Sequence, residues 1–157
     1  MQGGGVFRRG GGARAVAWGG CGVAVLFRVR YSDTDQMGTY SSARVLEWFE
    51  HGRTEFLREK NLPYALIESR GVFCPVIEAH VCYRGRARYD DLLRMNVSAA
   101  LCGKARVRFD VTIVHDQTGE PVADGYTIHA FVNSAGKPIR PPNWFTEAFS
   151  RGANNTQ

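Results

Sequence analysis

Two carboxylates stand one residue apart in the run Asp33-Thr34-Asp35-Gln36-Met37-Gly38. A carboxylate in a turn attacks an electrophilic carbonyl, takes a proton from water as a general base, or caps the next helix as a solvated turn residue. Spacing alone favours the last of these and leaves the others open. The remaining reactive side chains are scattered. Cys74 and His80 lie six residues apart, about 20 Å on a continuous strand, too far for a thiol–imidazole pair. His80, His115 and His129 lack metal-ligand spacing and read as strand histidines. Cys21, Cys74, Cys82 and Cys102 form no Cys-x-x-Cys pair, so neither a zinc ribbon nor a thioredoxin-like site is supported. They are too sparse for a disulfide scaffold and read as small buried hydrophobes in a reducing cytoplasm. No metal and no organic cofactor is expected.

The elements that position these groups follow from periodicity. Val23 to Tyr31 alternates as a half-buried strand, and Ser32 to Gly38 is turn chemistry. Residues 42–59 form the one long helix: Val45, Trp48, Phe49, Gly52 and Phe56 share a face. Ser41 or Ser42 is the N-cap, and Pro63 ends the segment. Gly52 on the apolar face predicts close contact with a sheet. Arg53 projects onto the same arc, where a charge needs an ion-pair partner. Four strand-like runs follow, 76–84, 92–101, 106–115 and 122–132. Val107, Phe109, Val111 and Ile113 make the inner face of the third; Val122, Tyr126, Ile128, Ala130 and Val132 make one face of the fourth. Pro138, Pro141 and Pro142 close the domain. A lone helix with an apolar stripe must cover a sheet. The expected class is α+β, one curved antiparallel sheet of about five strands wrapped around one helix.

At 157 residues, 44% apolar and 22% charged, the chain is one ordinary globular domain. No window approaches the roughly 18 uninterrupted apolar residues of a membrane span. Nine of the 18 glycines fall in residues 1–22, which reads as a Gly/Arg-rich disordered tail. The domain is then 23–147, with a C-terminal tail over 148–157. Arg8-Arg9 ahead of an apolar segment mimics a secretory signal, but glycines interrupt it and no Ala-x-Ala site follows. The expected location is cytoplasmic. The net charge is +5, yet the two tails hold four arginines and no acid, so residues 23–147 carry only +1. That balance argues against nucleic-acid binding as the main function.

Tyr31-Ser32-Asp33-Thr34-Asp35-Gln36-Met37-Gly38, followed by Trp48-Phe49-Glu50-His51-Gly52-Arg53-Thr54-Glu55, resembles the hot-dog-fold acyl-CoA thioesterases of the 4-hydroxybenzoyl-CoA thioesterase and YbgC-like group. Ala87 to Asp91, Gly125 to Ala130 and Gly136 to Pro141 extend the resemblance over about residues 24–145. It implies hydrolysis of an acyl-CoA, or of an acyl carrier protein thioester, to a free acid. It implies Asp35 as nucleophile or general base, and the backbone N–H of Ser42 as oxyanion donor. A thiolate leaves readily, its conjugate thiol having a pKa near 8.5, so one carboxylate suffices. First-turn amides are unpaired at the positive end of the helix dipole, which suits the Ser42 role. Gly38 supplies loop conformation.

The resemblance further suggests Tyr40, Phe73 and Cys74 as substrate-binding residues. Arg88 and Lys104 are candidates for the coenzyme A phosphates, with Arg84, Arg86, Lys137 and Arg140 as alternatives. It implies active sites formed between subunits, hence a homodimer or homotetramer. This chain departs from its relatives at Thr39, Tyr40, Ser41, Val45 and Arg86. Two rival readings stand beside this one: a non-catalytic acyl-CoA binder, and another hot-dog activity such as an enoyl-CoA hydratase using His51.

Overall fold

The computed structural model describes residues 22–151. The tail expected over 1–22 lies outside the described residues except for Gly22, as does most of the tail expected over 148–157. The elements are β1 (Val23–Arg28), α1 (Val45–Glu59), α2 (Tyr64–Ser69), β2 (Val76–Tyr83), β3 (Leu92–Cys102), β4 (Arg106–His115), β5 (Pro121–Ala130) and α3 (Asn143–Ser150). All strand pairs are antiparallel, in the order β1-β3-β4-β5-β2, so β1 and β2 are the edges. The sheet folds around α1, and the core lies between them. Val45, Trp48, Phe49, Gly52 and Phe56 are all buried, as their spacing predicts. Gly52 packs where a Cβ would come 2.5 Å from Met95 Sδ and 2.9 Å from Val97 Cγ2, which explains glycine on an apolar helix face.

The described elements depart from the sequence reading in several ways. Residues 42–44 form a 3-10 turn that leads into α1, and neither Ser41 nor Ser42 caps it through its side chain. α2 and α3 are additional helices. Pro63 and Pro142, expected only to end segments, stand at their N-caps with extended ψ, because proline's fixed φ also suits the residue that opens a helix. α3 crosses the boundary drawn at 147: Phe145 is buried, meets Phe131 edge-on and stacks on Phe149, and Phe149 reaches Phe56. The three described cysteines are half-buried rather than fully buried. Arg53 is buried, but its partner is neutral: Nε donates to the Tyr64 hydroxyl at 2.9 Å.

The fourth predicted strand faces the other way over most of its length. Pairing skips Val122 between Pro121 and Ala123, a one-residue bulge. Val122 and Ala123 therefore both point inward, and beyond the bulge Thr127, His129 and Phe131 take the core. Tyr126, Ile128 and Ala130 go to the outer face, since a one-residue slip inverts every side chain after it.

His129 is the one core histidine among the described residues. Nδ1 donates to the Cys74 carbonyl at 2.9 Å, and Nε2 accepts from Thr127 Oγ1 at 3.0 Å. Burial pushes its pKa from the usual 6.5 down to about 4. The Cys74 carbonyl opposes the shift and the Arg53 charge adds to it. Below pH 6.5 the unfolded chain takes up this proton before the folded chain does, so stability falls with pH down to about 4. The expected loss is about 3 kcal/mol across that window. Urea melts from neutral to mildly acid pH check it, and in His129→Gln this slope is absent.

Candidate active site

The run 33–42 is a short hairpin loop pinned at both ends. Asp33 is fully buried. Its carboxylate accepts from the Arg30 amide at 2.8 Å, from Arg30 Nε at 3.3 Å and from an Arg30 terminal nitrogen at 2.9 Å. Burial alone raises an acid's pKa, but here the Arg30 hydrogen bonds and charge outweigh it, and the net shift is downward. The Trp48 indole N–H makes no hydrogen bond of regular geometry, yet it too favours the Asp33 anion. Asp33 is therefore structural, as its place in the turn suggested. Asp33→Asn is expected to lower stability by about 2 kcal/mol at neutral pH. The depressed pKa places that contribution above the ordinary carboxylate range. The difference from wild type fades as acid protonates Asp33, and paired urea melts measure it.

From this anchor the loop folds back. Thr34 and Tyr40 form a β-bridge, Ser41 N–H donates to Asp33 O at 2.7 Å, and Asp35 N–H donates to Thr39 O at 3.0 Å. Gly38 N–H closes the turn onto Asp35 O at 3.0 Å with φ at +72°, the left-handed conformation its sequence position anticipated. The far side is stapled to residues 85–87. Tyr40 N–H and Thr39 Oγ1 both donate to Ala87 O, at 2.9 and 3.1 Å. The Tyr40 hydroxyl lies 3.0 Å from Gly85 O and 3.1 Å from Val122 O.

Asp35 sits at the exposed tip of this loop. Its Oδ1 accepts from the Met37 amide at 2.8 Å, which orients the carboxylate. Oδ2 has no hydrogen-bond partner among the described residues. Seven residues on, Ser42 opens the turn into α1, and no hydrogen bond among the described residues uses its N–H. Its carbonyl accepts from the Tyr83 hydroxyl at 3.0 Å. Tyr83 stacks on Tyr40, and Tyr40 packs against Trp48. An oriented carboxylate with a free oxygen thus precedes a helix start whose backbone is held from β2. Such an arrangement can deliver a nucleophile or base to a carbonyl while amides receive its oxygen.

The other expected residues divide into two groups. Tyr40 is at the loop but buried, with its ring in the core and its hydroxyl on backbone carbonyls; it supports the loop from beneath. Arg88 is exposed beside the loop, and its amide donates to the Asp91 carboxylate at 2.7 Å. Phe73 and Cys74 lie at the opposite end of the sheet. They line a cavity of about 470 Å³ with Tyr64, Pro75, Val132 and Asn133. Lys104 is at that end too, exposed in the β3–β4 turn. Val76 pairs with His129 at one end of β2 and Tyr83 with Ala123 at the other; the two ends are about 23 Å apart. The single chain therefore does not bring the groups together. The sequence reading assigned no role to Arg30, whose partner Asp33 is three residues on, nor to Thr39 and Tyr83, whose partners are distant in sequence. Among the described residues no cluster of His, Cys, Asp or Glu has the geometry to hold a metal ion.

A curved antiparallel sheet around one helix, with a carboxylate loop feeding the helix N-terminus, defines a hot-dog-fold protein. Residues 29–149 match the profile of the thioesterase-like superfamily, and the chain belongs to that family. The acyl-CoA thioesterase YbgC of Haemophilus influenzae is 32% identical over 90 residues, 57% of this chain and 66% of that protein. YneP of Bacillus subtilis is 36% identical over 63 residues, 40% of this chain and 46% of its own length. The chain thus spans under two thirds of both curated relatives. The crystal structure of a hypothetical protein, TT1821 from Thermus thermophilus, superposes with a TM-score of 0.77 at 28% identity. That match covers 84% of this chain and 98% of that one.

Proposed function

We propose that this chain hydrolyses the thioester of an acyl-CoA, releasing a free carboxylic acid and coenzyme A. The observation that carries the reading is the oriented Asp35 carboxylate, one oxygen free, directly ahead of the open first turn at Ser42. Asp35 either attacks the thioester carbonyl, forming a mixed anhydride that water then cleaves, or takes a proton from the attacking water. The Ser42 N–H receives the carbonyl oxygen as it becomes negative, an interaction worth about 3 kcal/mol in comparable sites. Gly38 lets the loop turn sharply enough to connect the two. The same carbonyl chemistry serves an acyl carrier protein thioester. No described helix is long and apolar enough to cross a membrane, and we place the reaction in the cytoplasm.

The working unit is a homodimer joined along β2. This edge strand leaves its backbone unpaired on one side and exposes Val76 at 50% and Ile77 at 52%, and long apolar edges are normally covered. Antiparallel self-pairing sets the start of one β2 beside the end of the other. The Phe73–Cys74 cavity of one subunit then adjoins the Asp35 loop of its partner and takes the acyl group. Sedimentation is expected to give a dimer, and Ile77→Asp to give a monomer without turnover; a fully active monomer overturns this assembly.

Free-thiol release from short, long and aromatic acyl-CoAs tests the reaction. Turnover of any of them supports the reading and names the acyl class; no release from any of them, or from an acyl carrier protein thioester, overturns it. The hydratase alternative is not favoured. His51 lies about 9 Å along α1 from its first residue, and its ring packs against Phe27.

A further inference from the structure

A thiol and an imidazole meet on the face of the sheet turned away from α1. His80 and Cys82 are alternate residues of β2, so they project to the same side. His80 Nε2 lies 3.2 Å from Cys82 Sγ. The imidazole is held in place: the Tyr126 ring, opposite it in register, stacks on it with centroids 5.4 Å apart and planes 20° apart. The Arg108 guanidinium sits 3.7 Å from the centre of the same tyrosine ring, and the tyrosine hydroxyl donates to Glu78 at 2.6 Å. Arg84, two residues past Cys82 on the same side, is bound to Asp124 at 2.5 Å. The charged groups around the pair are therefore Glu78 and Arg84 on β2, Asp124 on β5, and Arg108 with its partner Asp110 on β4.

An imidazole within hydrogen-bond reach and partial exposure together make a thiol reactive. The other described cysteines lack the set. Burial pushes the Cys74 thiol up to about 11. Cys102 is half-buried like Cys82 but has no imidazole within hydrogen-bond reach among the described residues. We propose that Cys82, with His80 as its base, is a modification site that exchanges with small-molecule disulfides. The thiol proton passes to His80 Nε2, and Sγ attacks one sulfur of the disulfide R–S–S–R. The S–S bond breaks, and the departing thiolate takes the proton from the imidazolium. The products are Cys82–S–S–R and R–SH. The site is separate from the Asp35 loop: Tyr83, the next residue, points to the opposite face and holds Ser42. Self-pairing along the β2 edge uses backbone groups and leaves this face open.

The full-length chain is incubated with oxidised glutathione, and the adduct on each cysteine is followed by peptide mass spectrometry. Cys82 is expected to react at least about tenfold faster than Cys102. His80→Gln, an exposed substitution, is expected to slow Cys82 by about tenfold or more and leave Cys102 unchanged. Cys82→Ser is expected to remove the fast adduct. Equal rates at Cys82 and Cys102, or no response to His80→Gln, overturn the proposal.

Discussion

Asp35→Asn is expected to lower kcat for thioester hydrolysis by about 100- to 10,000-fold with KM little changed. Asparagine keeps the size of the side chain, and its amide oxygen still accepts from the Met37 N–H, so the loop keeps its shape. Asp35 is exposed and its side chain makes no other hydrogen bond among the described residues that the change would disturb. What asparagine loses is chemistry: an amide neither attacks a thioester at a useful rate nor takes a proton from water near neutral pH. Substrate affinity therefore survives while turnover collapses, which also separates an enzyme from a non-catalytic binder. The measurement is thiol release over a range of substrate concentrations, with acyl-CoA binding followed in parallel. A variant with wild-type kcat places the reacting carboxylate elsewhere. A variant that has lost binding as well as turnover assigns Asp35 to the structure of the loop.

Gly125→Ala is expected to cost about 3 kcal/mol or more, and to abolish thiol release in the fraction that still folds. A Cβ at 125 would collide with the His80 carbonyl oxygen and come 3.1 Å from Phe49 Cε2. Backbone on one side and a buried helix residue on the other leave no room for a flexible side chain to yield. β2 must move away from β5, its only sheet partner among the described residues. The displacement carries Tyr83 with it, and with Tyr83 the hydrogen bond to Ser42. The same shift disturbs the edge along which two subunits would join. Urea unfolding gives the stability loss, and sedimentation and thiol release give the rest. A variant within about 0.5 kcal/mol of wild type shows that the two strands separate at little cost.

These two positions differ in how far the sequence announces them. The loop that carries Asp35 is legible because its surroundings are local: a turn, a glycine four residues ahead of Ser42, and an amphipathic helix behind them; a reacting role for Asp35 is implied only by the resemblance. Gly125 looks like any glycine in a strand, because what it must avoid comes from β2, some 45 residues earlier. Arg53 shows the same limit. Its burial follows from helical periodicity, but its partner follows from where α2 lands, and that partner is a tyrosine hydroxyl rather than a carboxylate. Tyr40 belongs to the Asp35 loop in sequence, yet its ring turns into the core, because Trp48 and Tyr83 make a place for it there.

By itself the sequence determined the five strands and the long helix, the buried stripe of α1, the glycine-terminated carboxylate loop and the α+β class, but neither α2 nor α3. Each rests on residues within a few positions of one another, where periodicity and turn chemistry act directly. The tertiary structure decided which face of β5 meets the core, since a single bulge at Val122 reverses the alternation that periodicity would continue. It decided that His80 pairs with Cys82, two residues on, because the strand sets both on one face and the stack with Tyr126 holds the imidazole there. It also set the Asp35 loop and the Phe73–Cys74 cavity at opposite ends of one sheet. That separation follows from strand pairing between distant residues, to which local pattern is blind.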